Sequence, residues 1–282
     1  MDFGKVKILL IVVFLGLNIF LAYQWSVLGT SVSIYTEPFS DQVANIKRTF
    51  AGHGVAMNAA LPAAPSMLSM TLVSLSQDWF QNAVDLGLSG SKKALAGRAR
   101  VVQTPLGSAT WVAPDQVRIT YRNKMAAAVI KADGRLDGLH KWLLRHVYNF
   151  NQYQLLSVQI TKQKGSVEYV ETVGNYSIFS APLVISINQG KVVSVTQTYV
   201  GVGKSIRPRP VLSAANALLA VASYMDKAQL QIDNTIKDMQ LGYASSIVAG
   251  ESGYLSPVWR VASVRGYFYV NALNGEVSVQ NR

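Results

Sequence analysis

The 282-residue sequence contains no cysteine and has few acidic residues. Without cysteine the chain can form no disulfide, has no thiol chemistry and cannot be acylated as a lipoprotein. A folded domain must therefore be held together by its apolar core, which a chain of this length can supply. The 15 Asp and Glu residues are outnumbered by 26 Lys and Arg residues. Most of the acids lie at turns or on polar helix positions, and no pair suited to glycoside hydrolysis can be nominated.

The sequence also has only three histidines, and their spacing does not suit a metal site. His140 and His146 are six residues apart, which places them on different faces of a helix. A zinc site needs three or four convergent ligands. We therefore expect structural or solvated histidines, with no metal and no cofactor.

Two short matches to catalytic motifs lack the rest of their motifs. Ser89 and Lys92 fit the S-x-x-K nucleophile pattern of penicillin-binding enzymes, but no K-[ST]-G element accompanies them. Gly203-Lys204-Ser205 resembles the end of a phosphate-binding loop, but Thr198 occupies the position of its first glycine. Both segments are predicted to be loops. The sequence indicates no catalytic residues and predicts that the protein is not an enzyme.

One long apolar run is present near the start of the sequence. No charged residue lies between Ile8 and Thr36. A helix over residues 8–28 is long enough to cross a bilayer, which needs about 20 apolar residues. Tyr23 and Trp25 suit a membrane interface. A cleaved signal peptide is the alternative, but no small-x-small cleavage site follows the apolar core.

The charges around this run predict its orientation. Lys5 and Lys7 precede it, and the next basic residue is Lys47. Basic residues favour the cytoplasmic side, so residues 1–7 are predicted to be a cytoplasmic tail and the rest of the chain a single-pass cell-membrane protein with an extracellular domain. Removing Asp2, Lys5 and Lys7 lowers the net charge only from +11 to +10. We expect this basic surface to face membrane lipid or an anionic wall polymer, and not nucleic acid.

The remaining sequence predicts an α+β fold of antiparallel sheets packed with helices. Apolar residues at helical spacing predict helices over Phe39–Ala51, Leu136–Asn149 and Ser213–Met225, with Ser213 as an N-cap. Alternating strands surround turn signals at Lys164-Gly165, Asn188–Gly190 and Asn274-Gly275. The segment Arg207–Pro210 is predicted to interrupt the sheet. Two lobes are expected, 29–135 and 136–282.

Two segments resemble a known family. The string Met1–Leu9, continued by Phe14–Gln24, fixes charged, aromatic and amide positions around the predicted span. The C-terminal segments Pro257–Val261, Tyr267–Ala272 and Asn274–Val277 form an aromatic-rich pattern that turns at a glycine. Together they resemble the YycI (WalI) family of regulatory membrane proteins. The C-terminal segment is also similar to a PepSY-type β-hairpin.

The resemblance implies a non-enzymatic regulator of the cell-wall sensor histidine kinase (WalK/YycG) of Gram-positive bacteria. The extracellular domain would pair with a related accessory protein, YycH, and the transmembrane helix would act beside the kinase's helices. Contact positions would then lie on a stripe along the span, comprising Phe14, Leu17, Asn18, Leu21 and Gln24, with Gly16 allowing close approach of a partner helix. The alternative is a membrane-anchored PepSY-like module that binds or inhibits an envelope protease or binds an anionic wall polymer.

Overall fold

The computed structural model describes most of the chain, and its contacts divide the chain into two compact units, Met1–Asn45 and Ile46–Arg282. The described residues are 7, 11, 13–18, 20, 39–52, 54–57, 60–62, 67–73, 77–88, 101–122, 136–228, 235–245, 253–264 and 266–281. In the first unit, residues 13–18 are helical. Most of the predicted span 8–28 lies outside the described residues. Within those residues, no helix has both the length and the apolar character that a membrane crossing requires.

Four α-helices are described after residue 38. They are α1 (Phe39–Gly52), α2 (Gln77–Gly87), α3 (Asp137–His146) and α4 (Ala214–Lys227), and a short 3-10 turn follows α3 at Phe150–Gln152. The predictions for α1, α3 and α4 are confirmed within a few residues. The Ser213 hydroxyl caps α4 by accepting a hydrogen bond from the backbone N–H of Asn216, at 3.1 Å. Helix α2 was not predicted.

Fifteen strands are described, and most are antiparallel to their neighbours. They are β1 (Ala56–Met57), β2 (Met67–Val73), β3 (Val101–Thr104), β4 (Gly107–Ala113), β5 (Gln116–Tyr121), β6 (Tyr153–Thr161), β7 (Lys164–Val173), β8 (Tyr176–Asn188), β9 (Lys191–Thr198), β10 (Gly201–Arg209), β11 (Thr235–Ile236), β12 (Asp238–Ser245), β13 (Tyr254–Ala262), β14 (Gly266–Asn271) and β15 (Val277–Asn281). Strands β1 and β11 form a small parallel pair, and the other thirteen form one sheet. The fold is therefore mixed α+β and rich in sheet, as predicted.

The large sheet has the strand order β10-β2-β13-β12-β8-β9-β5-β4-β3. Strands β14 and β15 extend from β13, and β7 and β6 extend from β8. Strands from both predicted lobes pair with each other, since β5 pairs with β9 and β2 pairs with β13. The division of the chain near residue 136 stays a prediction.

Helices α2, α3 and α4 and part of α1 pack on the sheet, and the apolar cores lie between these helices and the strands. Helix α4 packs on β13 and β14 together with Ile46 and Phe50 of α1. Helix α3 places Leu139 and Leu143 against β7, β8 and β9. Helix α2 places Trp79, among other side chains, against β3, β4 and β5. Each helix covers its sheet through an apolar stripe, which is how a cysteine-free domain of this size stabilises itself.

Two local predictions are wrong. Arg207–Arg209 do not interrupt the sheet but continue β10, which pairs with β2 through two register shifts. Proline is tolerated there because β10 is the outermost strand of the described order, and an edge strand can spare a ladder N–H. Gly203-Lys204-Ser205 lies in the same strand and not in a loop. The predicted loop at Ser89–Lys92 falls outside the described residues.

Two hairpin turns contain residues in the left-handed backbone conformation. The β8–β9 turn at Gln189-Gly190 has φ values of 52° and 70°, as the predicted turn signal requires. The β6–β7 turn lies at Lys162-Gln163, with φ values of 50° and 63°, two residues before the predicted position. Lysine and glutamine carry no strong turn signal, whereas the following glycine does.

The contact between β8 and β12 depends on a glycine. These strands meet in parallel at the pair Tyr243 and Ile178. A Cβ atom added at Gly242 would lie 2.5 Å from the carbonyl oxygen of Ser177 and 2.7 Å from the Phe179 ring. The backbones of β8 and β12 can therefore approach this closely only because residue 242 has no side chain.

We expect Gly242→Ala to lower the free energy of unfolding by about 1–3 kcal/mol, the usual cost of overpacking. Urea unfolding of the full-length protein in a mild detergent, followed by circular dichroism, measures this change. Gly52→Ala is the matched control, because Gly52 ends α1 with no atom within 4 Å of an added Cβ. Equal stability of both variants would contradict the close approach of β8 and β12.

Candidate interaction sites

The predicted helix-contact stripe is only partly described. Phe14, Gly16, Leu17 and Asn18 lie in the helical segment 13–18, and all four residues are exposed, with Phe14 at 66%. Leu21 and Gln24 lie outside the described residues. The helical spacing places Phe14, Leu17 and Asn18 on one face. The role of the stripe stays a prediction.

Strand β6 is a second exposed feature. Within the described part of the chain, β6 pairs with β7 alone, so its other edge carries unpaired backbone groups. Leu155 and Val158 on this strand are 49% and 46% exposed. An exposed edge strand with apolar side chains is a typical surface for pairing with another protein.

A groove lies on the face of β13, β14 and β15 that is turned away from α4. Trp259, Phe268 and Val270 point towards α4, so the alternate residues Val258 and Tyr269 point to the other face. There they line a groove of about 360 Å³ together with Phe179, Ser180, Ala244, Ser245, Ser256, Asn271, Glu276, Ser278 and Gln280. One wall is formed by Phe179 and Ser180 of β8. We call this the β13–β15 groove.

Arg260 lies in the same cross-strand row as Tyr269 and Gln240. Its side chain is only 5% exposed. The guanidinium carbon lies 4.5 Å from the centre of the Phe179 ring and 5.0 Å from that of Tyr267, which are cation–π distances. Nη2 donates a hydrogen bond to Oε1 of Gln240 at 2.7 Å, whereas the buried Nε has no hydrogen-bond partner among the residues that the structure describes.

A buried carboxyl group lies elsewhere in the sheet. Glu171 of β7 is 2% exposed and lies at the register shift between Val170 and Thr172. One of its oxygens accepts a hydrogen bond from the backbone N–H of Val200 at 2.8 Å. Burial raises the pKa of Glu171 from 4.5 to about 8, and the hydrogen bond from Val200 only partly offsets this. Glu171 is therefore largely protonated at neutral pH.

The ionisable neighbours of Glu171 are tyrosines. The Tyr153 hydroxyl donates to the carbonyl oxygen of Thr198 at 2.6 Å and accepts from Nε2 of Gln197 at 3.2 Å. Burial raises the pKa of Tyr153 well above its usual value, and the charge of Glu171 adds to this. Burial likewise raises the pKa of Tyr199, whose hydroxyl accepts from Asn149. With no second carboxylate among these groups, the arrangement suits pH-dependent stability better than acid–base catalysis.

Two histidines have packing roles. His146 stacks on Trp142 with ring centres 4.6 Å apart, and its Nδ1 lies 3.3 Å from the carbonyl oxygen of Leu86. His140 meets Phe150 edge-on at 5.2 Å. His53 lies outside the described residues. Among the residues that are described, no three His, Asp or Glu side chains cluster as metal ligands would.

Sequence patterns single out neither Glu171 nor Arg260 as a site. Arg260 is the single charged residue of β13 and is flanked by Trp259 and Val261, whereas Glu171 shares β7 with Lys164 and Glu168. A charged residue inside an apolar stretch is the only sequence signal that could have indicated these two positions. Such a residue is unusual because charged side chains are rarely buried.

The fold defines an α+β protein with a large antiparallel sheet, and comparison with known proteins identifies its family. Residues 37–273 match the YycI protein family, and the chain belongs to that family. A comparison with curated proteins gives no match.

Three solved structures are similar to parts of this fold. An uncharacterized protein from Eubacterium rectale is 9% identical, with 80% of this chain and 90% of that chain covered and a TM-score of 0.49. YycH from Bacillus subtilis is 12% identical, with 78% of this chain and 53% of that chain covered and a TM-score of 0.46. The YpeB C-terminal domain from Bacillus megaterium is 14% identical, with 74% and 99% covered and a TM-score of 0.36.

Proposed function

We propose that this protein is a non-enzymatic regulator of the essential cell-wall sensor histidine kinase, WalK/YycG, of a two-component system. The observation that carries the proposal is the match of residues 37–273 to the YycI family, whose members are regulatory accessory proteins. The described residues add support, because their one strongly perturbed carboxyl group, Glu171, has tyrosine neighbours and no acidic partner.

The first part of the mechanism is a helix contact in the membrane. Residues 8–28 span the bilayer with the N-terminus in the cytoplasm, and the stripe containing Phe14, Leu17 and Asn18 contacts the kinase's helices. In hydrocarbon, the Asn18 amide gains by hydrogen bonding to a partner helix, and Gly16 lets that helix approach. Regulation requires that this contact differ between two states of the kinase. A protein that binds both states equally does not shift the equilibrium between them.

The second part is pairing of the extracellular domain with a YycH-like accessory protein. The exposed edge of β6, with Leu155 and Val158, offers a surface for this pairing. Strand addition at an edge supplies backbone hydrogen bonds, and the apolar side chains supply buried area. Together the two contacts hold the domain beside the kinase.

We expect Asn18→Leu to weaken co-purification with the kinase about fivefold, since a hydrogen bond between membrane helices contributes about 1 kcal/mol. Site-specific crosslinking from residue 18 in native membranes identifies the neighbouring helix, and transcription of kinase-controlled genes reports the regulatory effect. Leu15→Ile is the matched control, because Leu15 lies off the stripe.

Two results would count against this proposal. One is unchanged association together with unchanged transcription in the Asn18→Leu strain. The other is a mature protein whose first residue lies beyond Trp25, which mass spectrometry of the purified protein would reveal. Such a protein would have no helix beside the kinase.

A further inference from the structure

We infer that the β13–β15 groove is a binding site for a neutral sugar, taken as a single ring or as a disaccharide unit of a glycan. The groove is lined by residues of β8 and of β12 to β15. Arg260 does not line it and has no part in the proposed contact. The inference does not rest on the proposed contact with the kinase, because it concerns only this face of the sheet.

The groove owes its depth to small side chains. Five of its eleven lining residues are serine or alanine, namely Ser180, Ala244, Ser245, Ser256 and Ser278. The Phe179 ring lies against Gly242, which has no side chain to displace it, and forms one wall. The volume of about 360 Å³ lies near the lower end of the usual range for small-ligand sites. A mono- or disaccharide is a ligand of suitable size.

The floor of the groove offers side chains and not backbone groups. Strands β12, β13 and β14 each pair with a neighbouring strand on both sides. Their backbone N–H and C=O groups are therefore used by the sheet itself. A peptide that adds to a sheet needs free backbone groups at an edge. A ligand on this floor must instead be recognised by hydroxyl, amide and carboxylate groups and by aromatic rings.

Three polar side chains of the groove have defined hydrogen-bonding roles. The Ser180 hydroxyl oxygen accepts from the backbone N–H of Ser245 at 3.0 Å, so its hydrogen can be donated to a ligand. Asn271 Oδ1 accepts from the backbone N–H of Leu273 at 2.9 Å, so its Nδ2 group can donate. The carboxylate of Glu276 can only accept. Each hydroxyl of a sugar both donates and accepts, so one ring can satisfy the two donors and the acceptor together.

Two aromatic rings supply the apolar part of the site. Phe179 and Tyr269 line the groove with ring centres 6.0 Å apart and ring planes inclined by 56°. The negative face of an aromatic ring attracts the polarised C–H groups of a sugar ring. The Arg260 guanidinium already covers one face of Phe179, at 4.5 Å from the ring centre. We therefore assign the stacking contact to Tyr269.

The charge of the groove selects for a neutral ligand. Among the lining residues of the described chain, Glu276 alone is charged, and it is exposed. Its carboxylate repels an anionic ligand. An ammonium ligand would gain little from an ion pair exposed to water. A purely apolar ligand would leave the hydroxyl and amide groups without partners.

The test is a ligand-observed NMR titration of the full-length protein in a polyoxyethylene detergent, since a detergent with a sugar headgroup would compete. The probes are methyl β-glucoside, methyl β-glucuronide, N,N′-diacetylchitobiose and glycerol. The first two differ in the carboxylate, and glycerol has hydroxyl groups but no ring.

Four variants accompany the wild type. Ser278→Trp fills the groove from an exposed position, Tyr269→Leu removes the stacking ring, and Glu276→Gln removes the charge. Thr120→Trp is the matched control, because Thr120 is an exposed residue of β5, which does not line the groove.

We expect the tighter-binding neutral sugar to bind the wild type and Thr120→Trp with a dissociation constant of about 5 mM or lower. It should bind at least threefold more tightly than the glucuronide and at least tenfold more tightly than glycerol. Ser278→Trp and Tyr269→Leu should each bind it at least tenfold more weakly. Glu276→Gln should reduce the preference over the glucuronide at least twofold.

Three results would each overturn the inference. They are the absence of binding of both neutral sugars to the wild type, equal binding by Ser278→Trp and Thr120→Trp, and binding of the glucuronide or glycerol as tightly as the neutral sugar. If Tyr269→Leu does not fold, Ser278→Trp decides the question alone.

Discussion

Replacing Trp259 by alanine should lower the free energy of unfolding by about 3–5 kcal/mol, the usual cost of removing a large buried aromatic side chain. Trp259 is 0% exposed and lies in the core between α4 and the sheet. Its indole N–H also donates to the carbonyl oxygen of Leu212 at 2.8 Å, just before α4 begins. The substitution therefore opens a cavity under α4 and leaves the Leu212 carbonyl without its donor, which adds to the cost.

Urea unfolding of the full-length protein, followed by far-ultraviolet circular dichroism, measures the loss. Trp259→Phe helps to separate the two contributions, because it removes the hydrogen bond but keeps the larger part of the apolar packing. Tyr254→Ala on the same strand is the control, since Tyr254 is 53% exposed and should change stability by about 0.5 kcal/mol at most. A Trp259→Ala protein as stable as the control would mean that α4 does not pack on β13 as described.

Glu171→Gln should make the protein more stable at pH 8 by about 2–4 kcal/mol and leave it nearly unchanged at pH 5. The reason is the raised pKa of Glu171, about 8 in the folded protein against 4.5 as the ordinary value. Between these values the folded state holds a proton that the unfolded state has lost. Stability therefore falls as the pH rises from about 5 to 8, and glutamine, which is neutral throughout, removes this slope.

Equilibrium unfolding of both proteins at several pH values between 5 and 8 tests this. The comparison uses the difference between the two curves, because Asp115, whose pKa burial also raises, contributes to both. Glu276→Gln is the matched control. Glu276 is exposed, so its replacement should leave the pH dependence of the unfolding free energy as in the wild type. Parallel curves for wild type and Glu171→Gln would show that Glu171 is ionised in the folded protein.

Local chemistry made part of this fold predictable. The α4 helix follows from its apolar spacing and from Ser213, whose hydroxyl can cap the first turn. The hairpin at Asn274-Gly275 follows from the left-handed backbone that glycine allows, and Gly275 has a φ of 78°. These signals lie within a few residues of the feature that they predict.

The rest depended on contacts between distant segments. Strand β10 contains Pro208 and is followed by Pro210, and this pattern predicts an interruption until β2 is known to pair beside β10 at the sheet edge. Helix α2 has Trp79, Phe80 and Ala83 at helical spacing. Its apolar stripe is explained only by the strands β3–β5 that it covers. The same holds for the β13–β15 groove, whose lining residues come from β8 and from β12 to β15.

The position of β2 has a consequence for synthesis of the chain. Strand β2 is made early, but both of its neighbours in the sheet, β10 and β13, come much later in the sequence. Pairings between such distant segments form slowly. A nascent chain therefore leaves the β13 side of β2 open until Ala262 has been made, and a chain interrupted before that point exposes an edge prone to aggregation.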